Sequence, residues 1–323
     1  MKRRQAAEYL RSQLPAVTAD LLMRYARGCV HVSATRSGDA LPMATSRFGG
    51  VPELPPTVPW PTWDASQHLQ ADLAEQEKLA ERVGGTGALA AVLPKMIARA
   101  RARLESPRRP LDFLGQLNLA DATFAGSTLP AAGLLSFFYD RETMRWGFDP
   151  NDRGSAQVVY TPAEAFDSLR ALAPPAATGV ATSQCKLTFR SGVSLPQRLQ
   201  NDVKAAGVTR EVYDPLRSAI LGESTGPLHQ VLGHSTNIQG DMRLECQLAS
   251  NGINCGTPSG YRDPRRKALE AGAADWTLLA QFDTDEPGPN WIWGDCGRIY
   301  FWIRRPDLAR ADFSQVWCVL QCS

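Results

Sequence analysis

WTLLAQFDTDEPGPNWIWGDCGRIYFWI, running from Trp276 to Ile303, is the stretch whose reading decides the fold. It holds two apolar runs, a polar loop between them and a sharp Trp293-Gly294-Asp295-Cys296-Gly297 turn. Runs of this length, rich in β-branched and aromatic residues and bounded by Gly, Pro, Asn and Asp, read as strands. Nearly every residue in both runs is apolar, so both faces of each strand are expected to be buried. Pro287-Gly288-Pro289 forbids helix, and Gly294 and Gly297 give the backbone freedom around Asp295. The pattern is a hairpin-like unit with a wide loop.

The same unit occurs earlier in the chain. Setting Gln116 over Gln281 aligns Phe113-Leu114-Gly115-Gln116-Leu117-Asn118 with Leu278-Leu279-Ala280-Gln281-Phe282-Asp283. Further on, Gly133-Leu134-Leu135-Ser136-Phe137-Phe138-Tyr139 matches Gly297-Arg298-Ile299-Tyr300-Phe301-Trp302-Ile303. One pair of units is too few for a solenoid and implies two related β-rich halves sharing one core. The expected fold class is α+β: a mostly antiparallel sheet built from those halves, with added helices at the N-terminus and in an insertion.

Several segments, taken in order, carry a family resemblance. They are Gly49-Gly50-Val51-Pro52-Glu53-Leu54-Pro55 with Trp60-Pro61, then LDFLGQLNLAD, LPAAGLLSFFYD, LGHSTNIQGDMRLECQLASNG and WGDCGRIYFWI. From about Arg47 to the C-terminus the chain resembles the YwqG-like family, also called DUF1963. The resemblance implies a mixed α and β fold of duplicated character. It carries over no catalytic residues, because the family's own function is unknown. His234 stands where members often carry an aromatic residue, which leaves the role of that position open.

Composition sets the bounds. At 323 residues, roughly three quarters of the unfolded surface can be buried, so one large core needs no staples. A formal net charge of +2 gives little attraction for nucleic acid or an acidic membrane, and neither is expected as a partner. Seven cysteines, an odd number spread from Cys29 to Cys322, lack the dense even framework of a small secreted domain. The N-terminal Lys2-Arg3-Arg4 is not followed by the apolar run of a signal peptide, and no later run reaches membrane-span length. The reading is a cytoplasmic, bacterial protein.

Along the chain, 1–46 reads as two short helices parted by Leu14-Pro15, with Thr18 or Asp20 as a cap for the second, then a strand from Cys29 to Thr35. The first half spans 47–173. Its segment from Ser46 to Pro61 holds five prolines and reads as an extended strap pinned by Val51, Leu54, Val58 and Trp60, with a groove wall as the functional alternative. A helical hairpin is expected over about 66–105, broken at Gly84-Gly85-Thr86-Gly87. A strand from Gln157 to Thr161 and a helix from Pro162 to Leu172 follow. The region 174–227 reads as a linker, a strand from Cys185 to Arg190, and helices near 196–206 and 209–221. The second half is 228–323, and the whole forms a single domain.

The chemical motifs are near misses. Gly85-Thr86-Gly87 matches the loose dinucleotide fingerprint, but a helix pattern, not a strand, precedes it. Arg99, Arg101, Arg103, Arg108 and Arg109 lack interleaved aromatics and read as a solvated surface. Gly222-Glu223-Ser224-Thr225-Gly226 has the spelling of a nucleophile elbow without its strand-to-helix setting. His229, His234, Cys246 and Cys255 are zinc-binding types with unsuitable spacing, so no metal and no cofactor is expected. Asp283, Asp285, Glu286 and Asp295, with Asp241 and Glu245, form an acidic group lacking the pattern of a calcium loop. Asp295 is expected to cap its own turn through its carboxylate. Gln116 and Gln281, set in apolar strands, must find partners and are expected to tie the halves together. Trp60, Gln116, Gln281, Trp293 and Asp295 are therefore the binding candidates.

The leading expectation is a non-catalytic binding or protein-interaction module with another protein as partner. The company the family keeps extends this to an immunity or partner protein of a bacterial toxin. The alternative is a hydrolase using an acidic or metal-assisted site in the second half.

Overall fold

A computed structural model describes residues 1–84, 87–124, 126–175, 182–222 and 226–323. The chain begins with α1 (Arg3–Gln13) and α2 (Ala16–Tyr25), then β1 (Arg27–Arg36), and the short β2 (Arg47–Phe48), β3 (Glu53–Leu54) and β4 (Thr62–Asp64). The helical hairpin is α3 (Ser66–Val83) and α4 (Ala88–Leu104), followed by β5 (Arg108–Pro110), β6 (Asp112–Asn118), β7 (Leu134–Tyr139), β8 (Ala156–Thr161) and β9 (Arg170–Ala171). Then come β10 (Cys185–Ser194), α5 (Asn201–Ala205), α6 (Arg210–Leu221), β11 (His229–Val231), α7 (Arg243–Ser250) and α8 (Arg266–Leu269). The chain closes with β12 (Trp276–Asp283), β13 (Arg298–Arg304), α9 (Arg305–Ala309) and β14 (Trp317–Gln321).

Ten strands form one antiparallel sheet in the order β14-β13-β12-β11-β1-β10-β2-β6-β7-β8, with β1 and β10 as its central pair. The fold is α+β. Reading inward from either edge gives three long strands, one short strand and a central strand. The two hairpins share their irregularity: β6 and β7 slip register between Phe113 and Gly115, and β12 and β13 between Leu278 and Ala280. Gln116 then faces Ser136 and Arg47, while Gln281 faces Tyr300 and Gln230.

The bulge has a physical purpose. Side chains alternate along a strand, so Trp276, Leu278, Ala280 and Phe282 would all share one face. The extra residue reverses the phase. Trp276 and Leu278 thus pack outward with Tyr300, Trp302 and α7, while Ala280 and Phe282 pack inward with Ile299 and Phe301. In β6, Phe113 packs outward with Leu54 and Trp63, while Leu117 packs inward. The inner faces of the two arms meet at Phe137 and Phe301, ring centroids 5.1 Å apart, and at Phe48 and Phe282, also 5.1 Å apart.

The N-terminal helices cover the outer end of β10. Ala19, Leu22 and Met23 recur at helical spacing and pack with Val193, Leu195 and Tyr213. α6 stops at Gly222, which takes the left-handed conformation that favours glycine at a helix end.

Local expectations fail at identifiable places. α2 starts directly after Pro15, so Thr18 and Asp20 lie inside it, and the Asp20 carboxylate accepts from Arg11 at 2.8 Å. Val51 is 37% exposed and pins nothing, whereas Leu54 is buried and the Trp60 indole donates to the Leu111 carbonyl at 2.8 Å. Pro162 to Leu172 is a single 3-10 stretch (Ala163–Ser168) and then β9, because β9 pairs with β3 of the strap. The arginine run is not merely solvated. Arg103 and Arg109 converge on Glu142 and Arg145 binds Asp72, so the hairpin is fastened to the body by charge, while Arg101 reaches Glu77 and ties α4 to α3. The expected linker lies partly outside the described residues.

Phe137→Ala and Phe301→Ala should each lose about 3–5 kcal/mol of unfolding free energy. Because the rings touch, the double variant should lose measurably less than the sum. Denaturant titrations of all three variants check this, and strict additivity would contradict the packing described.

Candidate functional site

A cleft of about 1270 Å³ opens where the N-terminal helices, the 196–210 segment and the loop after β11 meet. It is assembled from remote pieces of chain. Tyr25 and Arg27 come from the end of α2 and the start of β1, Arg198, Asp202 and Lys204 from around α5, and Arg210 from the start of α6. His234 and Asn237 come from the loop, Asp241 and Arg243 from the entry to α7, and Trp302 from β13. The loop is fixed in place by its neighbours. His234 N–H donates to Ser194 Oγ at 2.8 Å, Asn237 N–H to Gln197 Oε1 at 2.6 Å, and Thr236 N–H to Gln281 Oε1 at 2.9 Å.

The wall is basic. Arg27, Arg198, Lys204, Arg210 and Arg243 face two carboxylates, Asp202 and Asp241. Arg210 is paired with Asp214 at 2.9 Å and Arg243 with Asp241 at 2.5 Å, and Asp202 accepts from the Tyr25 hydroxyl at 2.6 Å. Among the described residues, the Arg27 and Arg198 guanidiniums and the Lys204 ammonium make no hydrogen bond or ion pair. Burial, and then the charges of Arg243 and Arg305, push the Arg27 pKa down. Burial, with Arg27 next, lowers His234 from its ordinary 6.5 to about 4. His234 is therefore neutral near pH 7, with its Nε2–H donating to the Tyr25 carbonyl at 2.8 Å. Two buried polar atoms on this wall, Trp302 Nε1 and Asn237 Oδ1, also lack a hydrogen-bond partner. The arrangement can attract and hydrogen-bond an anionic group.

Of the candidates singled out from sequence, only His234 and Asp241 reach the cleft. Trp60 anchors the strap, and its ring meets Phe138 edge-on at 5.8 Å. Trp293 is fully buried, its indole donating to the Asp283 carbonyl at 3.1 Å. The two glutamines are fully buried, but each ties down chain near itself and does not join the halves. Gln116 Nε2 donates to Thr45 O at 3.0 Å and Glu53 Oε2 at 2.8 Å, while Gln281 Nε2 donates to Leu228 O at 3.0 Å. The short β2 and β11 leave neighbouring backbone groups unpaired, and these side chains satisfy them. Asp295 is exposed on its turn, and its carboxylate makes no hydrogen bond among the described residues. The turn closes instead through Gly297 N–H to Trp293 O at 2.8 Å, so the expected cap is absent.

The remaining candidates go to separate places. Cys246 is buried on α7 beside Met242 and Trp276, and Cys255 packs with Leu248 and Ile253, where burial pushes its thiol up to about 11. Among the described residues no group of three or more His, Cys, Asp or Glu side chains can hold a metal. The acidic group also disperses. Asp283 pairs with Arg298 at 2.6 Å, Glu245 accepts from Tyr261 at 2.9 Å, and Glu286 is exposed. Ser224 and Gly85-Thr86 lie outside the described residues.

His229 and Asp285 form a buried pair, Nε2 to Oδ2 at 3.1 Å, with the outline of a catalytic dyad. The other ring nitrogen, Nδ1, accepts from Asp283 N–H at 3.1 Å. That acceptance fixes the neutral tautomer with the proton on Nε2 and uses the nitrogen a nucleophile would need. Burial alone would raise Asp285, but the His229 and Gly288 hydrogen bonds outweigh it and hold the carboxyl below its usual range. The pair locks the 285–291 loop under the Phe48, Phe282 and Trp291 rings.

Sequence reasoning missed the cleft's cations because four stretches remote in sequence, 25–27, 196–210, 233–243 and Trp302, supply its wall. It also missed the buried Arg47–Glu53 pair at 2.7 Å, which braces the strap against Gln116. Asp295→Ala should change stability by no more than about 0.5 kcal/mol. Glu53→Ala, by stranding Arg47, should lose about 3–5 kcal/mol. Thermal and chemical melts check both, and a large loss at Asp295 would contradict the turn described.

His31 shares the behaviour of His234, with burial lowering it to about 4. A histidine held below its unfolded value keeps the unfolded chain better protonated between about 4 and 6.5. Stability should therefore be full above pH 6.5 and fall as pH drops through that window. His234→Gln should flatten the slope, and a slope unchanged in that variant would contradict the His234 environment.

No match to the chain appears among curated proteins. The described residues hold no helix long and apolar enough to cross a membrane. A family model, described as a domain of unknown function, matches residues 46–322, the span that holds β2 and all that follows. By that match the chain belongs to the DUF1963 family.

Proposed function

We propose that the protein is a non-catalytic binding module whose basic cleft receives an acidic segment of a partner protein. The observation that carries this reading is the set of cations without an ion pair among the described residues, Arg27, Arg198 and Lys204, facing one cleft of about 1270 Å³. Charges of one sign facing a concave wall focus the field and steer an oppositely charged ligand. The size lies above the usual small-molecule range of about 300–1,000 Å³ and suits an extended chain better than a compact metabolite. Of the side-chain amides along the wall, Gln197 is already bonded to the Asn237 backbone in both directions, and Asn237 Oδ1 has no partner in the chain and can accept from a peptide N–H. An immunity or partner role towards a bacterial toxin falls within this class.

An acidic probe peptide, oligo-glutamate with a fluorescent label, should bind the wild type by anisotropy, and more weakly as salt rises. Arg27→Glu with Arg198→Glu should weaken binding by about tenfold or more, a loss of roughly 1.4 kcal/mol. Lys95→Glu, a control on α4, should leave binding unchanged. Absence of binding at low salt, or equal loss from the control, would overturn the reading.

A further inference from the structure

Two of the seven cysteines stand apart from the rest. Cys29, Cys185, Cys246, Cys255 and Cys318 are buried, and burial pushes the Cys29, Cys185 and Cys255 thiols up to about 11. The attacking species in thiol chemistry is the thiolate, so the buried environment makes these groups inert. Cys296 is exposed on the Trp293–Gly297 turn, and Cys322 is half-buried just after β14.

Backbone pairing sets these two side by side. β13 and β14 run antiparallel with Arg298 opposite Gln321, a register that carries on to Gly297 opposite Cys322. One step further, Ser323 N–H donates to Asp295 O at 3.2 Å, and counting back from that bond places Cys322 opposite Cys296. Two residues of the turn therefore face one residue of the last strand, the arrangement of a bulge. Directly opposed residues of antiparallel chains have Cα atoms about 4.5–5.5 Å apart, within the span of about 4.4–6.8 Å that a disulfide bridges. The turn also leaves room for the Cys322 side chain. Cys322 Sγ lies 3.2 Å from the place a Cβ on Gly294 would take, and Cys322 Cβ lies 2.8 Å from the place a Cβ on Gly297 would take. A side chain at either position would crowd the thiol. The Cys322 carbonyl accepts from Gln239 Nε2 at 2.9 Å, so the backbone that carries the thiol is held in position.

We propose that Cys296 and Cys322 are a redox-active pair that closes to a disulfide when the protein meets a small-molecule disulfide. The exposed Cys296 thiolate attacks one sulfur of the oxidant, whose S–S bond breaks and releases one thiol. The Cys322 thiolate then attacks Cys296 Sγ in the mixed disulfide and expels the second thiol. The pair loses two electrons and two protons, and the oxidant takes up both as two thiols. The new bond fastens the turn to the chain after β14, across a loop that holds β13, α9 and β14.

The full chain, first reduced, is incubated with oxidised glutathione without denaturant, alkylated, digested and mapped by mass spectrometry under non-reducing conditions. The wild type should become lighter by two hydrogens and yield one peptide pair joining Cys296 to Cys322. The other five thiols should be alkylated only after unfolding. Cys322→Ser should stop at the intermediate, with one glutathione held on Cys296, and Cys296→Ser should yield no cross-link. Amide exchange at 293–297 should slow in the cross-linked form. A wild type that keeps glutathione on Cys296, joins either cysteine to another thiol, or links two chains would overturn the proposal. Exchange at 293–297 unchanged by the cross-link would overturn the fastening of the turn.

Discussion

A one-residue bulge in β6 and another in β12 set the rest of the molecule. A sheet of ten strands has two faces to bury, and a strand with simple alternation can supply apolar side chains to each only in strict turn. The shift at Phe113 and Gly115, and at Leu278 and Ala280, lets one strand feed the outer layer with its first turns and the central core with its last. The central core then forms where the arms face one another, at Phe137, Phe301, Phe48 and Phe282. The outer layer forms where helices and the strap lie down. The matching registers of the two arms favour the proposal that they are related copies of one unit.

Polar groups inside this core do structural work. Gln116 and Gln281 hold the short β2 and β11 neighbourhoods, Arg47 and Glu53 brace the strap, and His229 with Asp285 pins the loop below Trp291. Each is buried and each has its partners on nearby chain, so loss of one member strands another. This accounts for the resemblance of the His229–Asp285 pair to a catalytic dyad, whose other ring nitrogen is here taken by the Asp283 amide. The same need for satisfaction makes the exceptions informative. Trp302 Nε1 and Asn237 Oδ1 lie without a partner in the chain on the wall of the basic cleft.

Much of the fold was legible in the chain because its signals are local. Apolar runs bounded by Gly and Pro marked β6, β7, β12 and β13, and Ala, Glu, Lys and Leu marked α3 and α4. Asp295 was misread because a carboxylate between glycines resembles a cap, yet the Gly297 amide takes the Trp293 carbonyl and leaves Asp295 to solvent. The glutamines were rightly read as needing partners, but sequence distance says nothing of which backbone groups lie unpaired beside them. The cleft was not legible at all. Arg27, Arg198 and Arg243 belong to different segments, and no spacing rule links them before the pairing of β1 with β10 and β11 sets the chain after each strand around one cleft. His234 was noticed as a departure from its family and as a zinc-binding type, not as part of a basic wall, and it stands on that wall.

The central claim is that recognition happens at this cleft and not in the aromatic core or at the Trp293–Gly297 turn. Hydrogen exchange followed by mass spectrometry, on the full chain with and without the acidic probe peptide, tests it most directly. Slower exchange confined to 196–210 and 233–243, with 285–297 unchanged, is the result the account predicts. Protection centred on 285–297, or none within the cleft segments while the peptide is bound, would contradict it.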